Sequence, residues 1–169
     1  MLKLYLDTSV ILKRYITEQG TKATDEIFDN AETGEITITF SLWNIGEALG
    51  VLDEKLRKGW LTQKEFNQTL SLFADELIKL TRSKNLEILP VETAILTNAW
   101  NMITNYHMYE ADALQITTCS YSHSDVLLTN DEKLAQSGRK AGLKTINISK
   151  DEEKIENLIQ QSRKQKQQK

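Results

Sequence analysis

Four acidic residues stand where carboxylates can do chemistry: Asp7, Glu47, Asp112 and Asp131. Asp7 follows Leu2 to Leu6, an alternating run that predicts a strand, and precedes Val10, Ile11 and Leu12, which begin a helical pattern. With Thr8 and Ser9 it sets a carboxylate and two hydroxyls at the carboxyl end of a first strand, where open α/β sheets put their sites. The same residue types are the preferred helix N-caps, so capping explains this stretch as readily as function does. Asp131 closes Thr129-Asn130-Asp131, directly after Val126-Leu127-Leu128, an apolar run suited to a buried parallel strand. If these two strands are neighbours, both carboxylates open into one crevice. Glu47 lies inside a predicted helix between Ile45 and Leu49, near the edge of its buried stripe, and Asp112 lies in a later helix. Carboxylates gathered in one crevice repel one another and phosphate alike, a conflict that a hard divalent cation such as Mg²⁺ resolves.

The elements that must position these residues follow from periodicity and punctuation. Ala23, Ile27, Phe28 and Ala31 outline a short helix closed by Gly34, and Ile36, Ile38 and Phe40 form a second strand. Ser41 then caps a long helix whose expected apolar stripe is Leu42, Ile45, Leu49, Leu52 and Leu56. Gly59 ends it, and the next helix starts with a capping box, Thr62 and Glu65, and a hydrophobic staple, Leu61 and Phe66. Its stripe continues through Leu70, Phe73, Leu77 and Leu80. A third strand, Leu86 to Leu89, precedes Pro90, and helices are expected from about Glu92 to His107 and from Tyr109 to Tyr121. After the Val126 strand come a helix through Leu134, a C-cap at Gly142 and a last strand from Thr145 to Ile148. Strands alternating with helices imply a mostly parallel sheet covered on both faces, an α/β sandwich. One domain, residues 1–149, is expected, followed by a polar C-terminal helix and a frayed basic tail over residues 150–169.

Composition bounds the remaining possibilities. The chain has 169 residues, 40% hydrophobic and 27% charged, with one proline, which describes a soluble globular protein rich in regular structure. Its single cysteine, Cys119, rules out an internal disulfide and, in an apolar-leaning run, reads as a buried thiol. Asp7 breaks the opening apolar run before it reaches signal-peptide length, and no segment approaches the roughly 18 apolar residues of a membrane span, so a cytoplasmic protein is expected. A net charge of −3 and a pI near 5.5 argue against holding nucleic acid by bulk positive charge. They leave room for local basic patches such as Lys13-Arg14 and Lys55-Leu56-Arg57-Lys58, each of which also reads as a solvated helix face. His107 and His123 lack metal-ligand spacing, and Trp43, Trp60 and Trp100 are expected in helix packing rather than as stacking platforms.

The acidic motifs, taken together, resemble those of the PIN-domain nucleases, particularly the VapC-like toxins of prokaryotic toxin–antitoxin pairs. The matching pieces are Leu6-Asp7-Thr8-Ser9, Asn44-Ile45-Gly46-Glu47-Ala48, Ala111-Asp112-Ala113-Leu114-Gln115-Ile116 and Leu128-Thr129-Asn130-Asp131-Glu132-Lys133-Leu134, in family order over residues 3 to about 148. The resemblance implies a three-layer α/β/α sandwich and a Mg²⁺- or Mn²⁺-dependent ribonuclease hydrolysing RNA phosphodiester bonds. It further implies that Asp7 and Asp112 are the most direct metal ligands, with Glu47 and Asp131 completing the cluster. Ser9, Thr8 and Thr129 are candidates to position water or phosphate, against local capping as the alternative. Asp125 and Glu132 rival Asp131 for the fourth acidic place, and Glu110 is read as solvated. Implied partners are an RNA substrate, an antitoxin protein and a second copy of the chain, the latter two through the long helical hairpin from Ser41 to about Lys84. The helical region between Glu47 and Asp112 and the C-terminal extension exceed those of compact family members. The alternatives are an RNA-processing nuclease outside a toxin pair, a catalytically silent RNA-binding or scaffold module, and a haloacid-dehalogenase-type phosphatase. The phosphatase wants a second aspartate two residues after the first, where Ser9 stands.

Overall fold

A computed structural model describes residues 1–167. In chain order the elements are β1 (Leu2–Leu6), α1 (Thr8–Leu12), α2 (Thr21–Glu32), β2 (Ile36–Ser41), α3 (Leu42–Arg57), α4 (Gln63–Arg82) and β3 (Leu86–Leu89). They continue with α5 (Thr93–Tyr106), α6 (Glu110–Tyr121), β4 (Val126–Thr129), α7 (Glu132–Lys140), β5 (Thr145–Asn147) and α8 (Glu152–Gln167). The strands form one sheet in the order β3-β2-β1-β4-β5, and every pairing is parallel. After β3 the chain returns across the sheet to lay β4 beside β1, so the strand order reverses between these two. A crevice outside the carboxyl ends of the strands is expected at such a reversal.

Alternation along the strands divides the apolar core into two layers. Leu4 and Leu6 of β1, with Val126 and Leu128 of β4, face a cluster that includes Val10 and Ile11 of α1, Ile27 and Phe28 of α2, and Ala48 and Leu52 of α3. The same cluster takes in Phe73 and Leu80 of α4 and Ile155 and Ile159 of α8. Tyr5 and Leu127 face the other side, against Ala99 of α5, Ala113, Ile116 and Cys119 of α6, and Leu134 of α7. Helices therefore cover both faces, and the architecture is the expected three-layer α/β/α sandwich. Burying each Leu or Ile in these layers contributes about 1.5–3 kcal/mol. Gly138 lets α7 lie close on β5, because a Cβ there would stand 2.6 Å from Thr145 Oγ1.

Three readings of the sequence need correction. The inward face of α3 is Asn44, Ala48 and Leu52, spaced by four, while Leu42 and Leu49 of the expected stripe are exposed. The helix is turned this way because Asn44 accepts the Ser41 backbone N–H at 2.8 Å and lies fully buried. Trp43, Trp60 and Trp100 are all exposed, between 46% and 66%, instead of packing helices together. Trp60 lies beneath two ammonium groups, with Lys58 Nζ 4.9 Å and Lys55 Nζ 5.5 Å from a ring centre. The last strand ends at Asn147, not Ile148. Residues 163–167 of the basic tail belong to α8, and residues 168 and 169 lie outside those described.

Candidate active site

The four acids converge on an open cleft of about 450 Å³ at the carboxyl ends of β1 and β4. Asp7 stands where β1 gives way to α1. Its backbone N–H extends the ladder to Leu128 C=O at 2.9 Å, and its side chain caps α1 by accepting the Thr8 N–H at 2.7 Å. The second oxygen accepts from Ser9 Oγ at 2.7 Å and from Thr129 Oγ1 at 2.9 Å. Asp7 thus caps a helix and faces the cleft at once, so the two readings of its stretch do not exclude each other. Glu47 reaches in from α3, where one oxygen accepts from Thr8 Oγ1 at 2.7 Å and from Gln115 Nε2 at 2.9 Å. Asp112 comes from the first turn of α6, in the opposite helical layer, and makes no hydrogen bond or ion pair among the described residues. Asp131 caps α7, with Oδ1 accepting the N–H groups of Lys133 at 2.7 Å and Leu134 at 3.3 Å.

Electrostatics follow from this crowding. Burial pushes the Asp7 carboxyl above its ordinary value against the lowering effect of Ser9, Thr129 and the Thr8 N–H, and the nearby Glu47 adds to the rise. Asp112 is raised from 3.8 to about 6, first by burial and then by Asp131, Asp7 and Glu47. Lys55 is the one cationic residue that lines the cleft among the described residues, and none of the four acids forms an ion pair there. Among the same residues no three His, Cys, Asp or Glu side chains are yet gathered tightly enough to hold one ion. Asp7 and Glu47 instead rest on hydroxyl and amide donors, which holds like charges apart.

Six of the seven sequence candidates line the cleft: Asp7, Thr8, Ser9, Glu47, Asp112 and Asp131. Thr129 is buried below them and acts through Asp7 and the Asp131 N–H, which it accepts at 2.9 Å. The rivals lie elsewhere. Asp125 accepts the Lys3 N–H at 2.7 Å at the start of β1, Glu132 pairs with Arg139 and Lys150, and Glu110 is exposed. His107 and His123 sit in left-handed backbone at helix ends, with φ of 51° and 54°. Gln115 and Asn44 stand in the motifs without a role, yet both are buried, Gln115 donating to Glu47 and Asn44 donating to Thr8 and Gln115. The available signal was a lone amide, Gln115, one turn after Asp112 inside an otherwise apolar run.

An all-parallel sheet with its acidic cleft at the strand reversal defines an open-sheet α/β protein, with the cleft at the place where that class of fold puts its sites. The chain belongs to the PIN domain family, a family of nucleases, whose profile matches residues 4–140 and so contains all four acids. A comparison with curated proteins finds no match. Among solved structures, FitAcB from Neisseria gonorrhoeae is similar over 86% of this chain and 97% of its own, with a TM-score of 0.62 and 17% identity. VapBC2 from Rickettsia felis, bound to a DNA fragment from its promoter, is similar over 86% and 98%, with a TM-score of 0.61 and 13% identity. VapC20 from Mycobacterium tuberculosis, a toxin that cleaves the sarcin–ricin loop, is similar over 85% and 97%, with a TM-score of 0.59 and 10% identity. At these identities the likeness is one of fold.

Proposed function

We propose that this chain is a Mg²⁺- or Mn²⁺-dependent endoribonuclease, working in the cytoplasm as the toxin of a toxin–antitoxin pair. The observation that carries the reading is the convergence of four carboxylates from both helical layers on one cleft, with no ion pair to any of them among the described residues. An all-oxygen donor set without histidine or cysteine suits a hard divalent ion. Asp7, Glu47, Asp112 and Asp131 would hold it, and Asp112, free of donors, has the most to gain. When bound, such an ion polarises a phosphate oxygen and lowers the pKa of a water, the chemistry that phosphodiester hydrolysis needs. The chain's own residues set the stage: Ser9 and Thr129 hold Asp7 by one oxygen, Thr8 and Gln115 hold Glu47 by one oxygen, and Asp131 is fixed by its cap.

An antitoxin or a second copy of the chain would bind along the hairpin of α3 and α4, which leaves Leu42, Trp43, Leu49, Trp60, Leu72 and Ile78 exposed. The sarcin–ricin loop cleavage named for VapC20 supports RNA as the substrate, and the antitoxin complex named for VapBC2 supports the pairing. No helix among the described residues is long and apolar enough to cross a membrane. The test is cleavage of a panel of RNAs by protein freed of contaminating nuclease, with cut ends mapped. Cleavage should require Mg²⁺ or Mn²⁺, stop in EDTA and return when the metal is restored, while Ca²⁺ should support it poorly because of its larger radius and looser geometry. Undiminished cleavage in excess EDTA would sink the metal mechanism.

A further inference from the structure

Beneath the cleft a buried polar network joins both helical layers, and its hydrogen-bond sense can be read from one end to the other. It starts at the Ser41 backbone N–H, which can only donate and which faces the Asn44 side chain at 2.8 Å. The Asn44 atom there is therefore Oδ1, and Nδ2 points the other way, to Thr8 Oγ1 at 2.9 Å and to Gln115 at 3.0 Å. The Gln115 atom that meets this donor must be Oε1. The Tyr5 hydroxyl, at 2.8 Å from the same oxygen and 3.2 Å from Asn44 Oδ1, spends its one hydrogen on Gln115. Gln115 is thereby left to present Nε2 to Glu47 Oε2 at 2.9 Å, and Thr8, having accepted from Asn44, gives its hydrogen to the same oxygen at 2.7 Å. Turning either amide over would set donor against donor and leave buried polar groups unpaired.

We infer that Gln115 is a positioning residue for Glu47, held in that sense by Asn44 and Tyr5. The inference rests on the reading of Glu47 as a metal ligand. Both fixed donors land on Oε2, which leaves Oε1 as the oxygen offered to the ion. Because Gln115 lies one turn beyond Asp112 on α6, a single helix supplies one acid and orients another that comes from the far side of the sheet. Partners of this kind beyond the ligands themselves typically change metal affinity about 10–100-fold when removed.

Mn²⁺ titration calorimetry on the full chain, with thermal melts in EDTA to show that each variant folds, tests this. Gln115→Met, close in length and without a donor, should weaken Mn²⁺ binding by about 10-fold or more. In a Glu47→Gln background the same change should weaken it no further, because Gln115 acts through the Glu47 carboxylate. Asn44→Asp, which keeps the shape and removes both Nδ2 donors, should weaken binding in the same direction, and it serves if Gln115→Met fails to fold. Wild-type affinity in a folded Gln115→Met or Asn44→Asp, or equal weakening by Gln115→Met with and without Glu47, overturns this inference and leaves the site intact. Unchanged Mn²⁺ affinity in Glu47→Gln alone overturns the assignment of Glu47 as a ligand and this inference with it.

Discussion

Arg14 and Asp112 each stand among acids, and the two surroundings are built in opposite ways. The Arg14 guanidinium lies 3.0 Å from Asp25, 3.2 Å from Asp29 and 3.1 Å from Glu76, while the Tyr15 hydroxyl donates to the other Glu76 oxygen at 2.6 Å. That group carries its own cation, which ties the turn after α1 to α2 and α4. In the cleft, Asp112 has neighbouring carboxylates, no hydrogen bond among the described residues, and a pKa raised to about 6. A folded chain gains nothing from such an arrangement by itself, since every added charge opposes the others. Acids packed for stability acquire a cation from the protein. On the proposed function, the acids of the cleft leave the cation to come from solution.

The contrast breaks most sharply if the cleft acids are neutralised. Asp7→Asn and Asp112→Asn should each lower RNA cleavage by more than about 100-fold, beyond the usual cost of losing a metal's outer partner. Time courses at saturating Mg²⁺ would measure this, and a variant that cuts at wild-type rate removes its residue from the site. The corresponding change at the Arg14 group should do the reverse. Arg14→Leu should cost about 1–3 kcal/mol of stability, below the 3–5 kcal/mol of a fully buried pair because Asp25 and Asp29 are substantially exposed, and should leave cleavage per folded molecule unchanged. Urea unfolding together with the cleavage assay separates the two effects.

A smaller effect is expected from pH. Asp112 binds a proton up to about pH 6 in the folded chain but only to 3.8 when unfolded, so the folded form holds more protons across that window. Without metal, the stability it contributes therefore falls as pH rises from about 4 to 6. With metal, the ion must displace the proton, so cleavage at limiting Mg²⁺ should climb by up to about tenfold per unit as pH rises toward 6 and then level. A profile flat from pH 5 to 7 would mean that Asp112 carries no such proton.

Much of the fold was legible in the sequence, and the parts that were not share a cause. The alternating Leu2–Leu6 run, the apolar run at Val126 and the Thr62–Glu65 capping box are local signals, and each appears where expected. The rotation of α3 is only partly local. Leu42 and Leu49 lie outside because Asn44 turns inward, where it meets Ser41 three residues before it and also Tyr5, Thr8 and Gln115 from elements far apart in the chain. Periodicity scores an asparagine as surface and cannot know that a buried partner awaits it. The same blindness hid Gln115, whose apolar neighbours suggested only a core helix. The acids themselves could be picked out because each sits at a strand end or in a recognisable motif, whereas the hydrogen bonds that aim them exist only in three dimensions.

The central claim is that the cleft holds unbalanced charge that a divalent ion completes. Thermal melts of the wild type and of Asp112→Asn at pH 7.5, each in EDTA and in Mn²⁺, test it most directly. In EDTA the variant should melt at or above the wild type, because it sheds like-charge repulsion. Mn²⁺ should then raise the wild type's melting temperature clearly and the variant's much less. A variant that melts below the wild type in EDTA, with Mn²⁺ moving neither, would make Asp112 an ordinary structural acid and contradict the account.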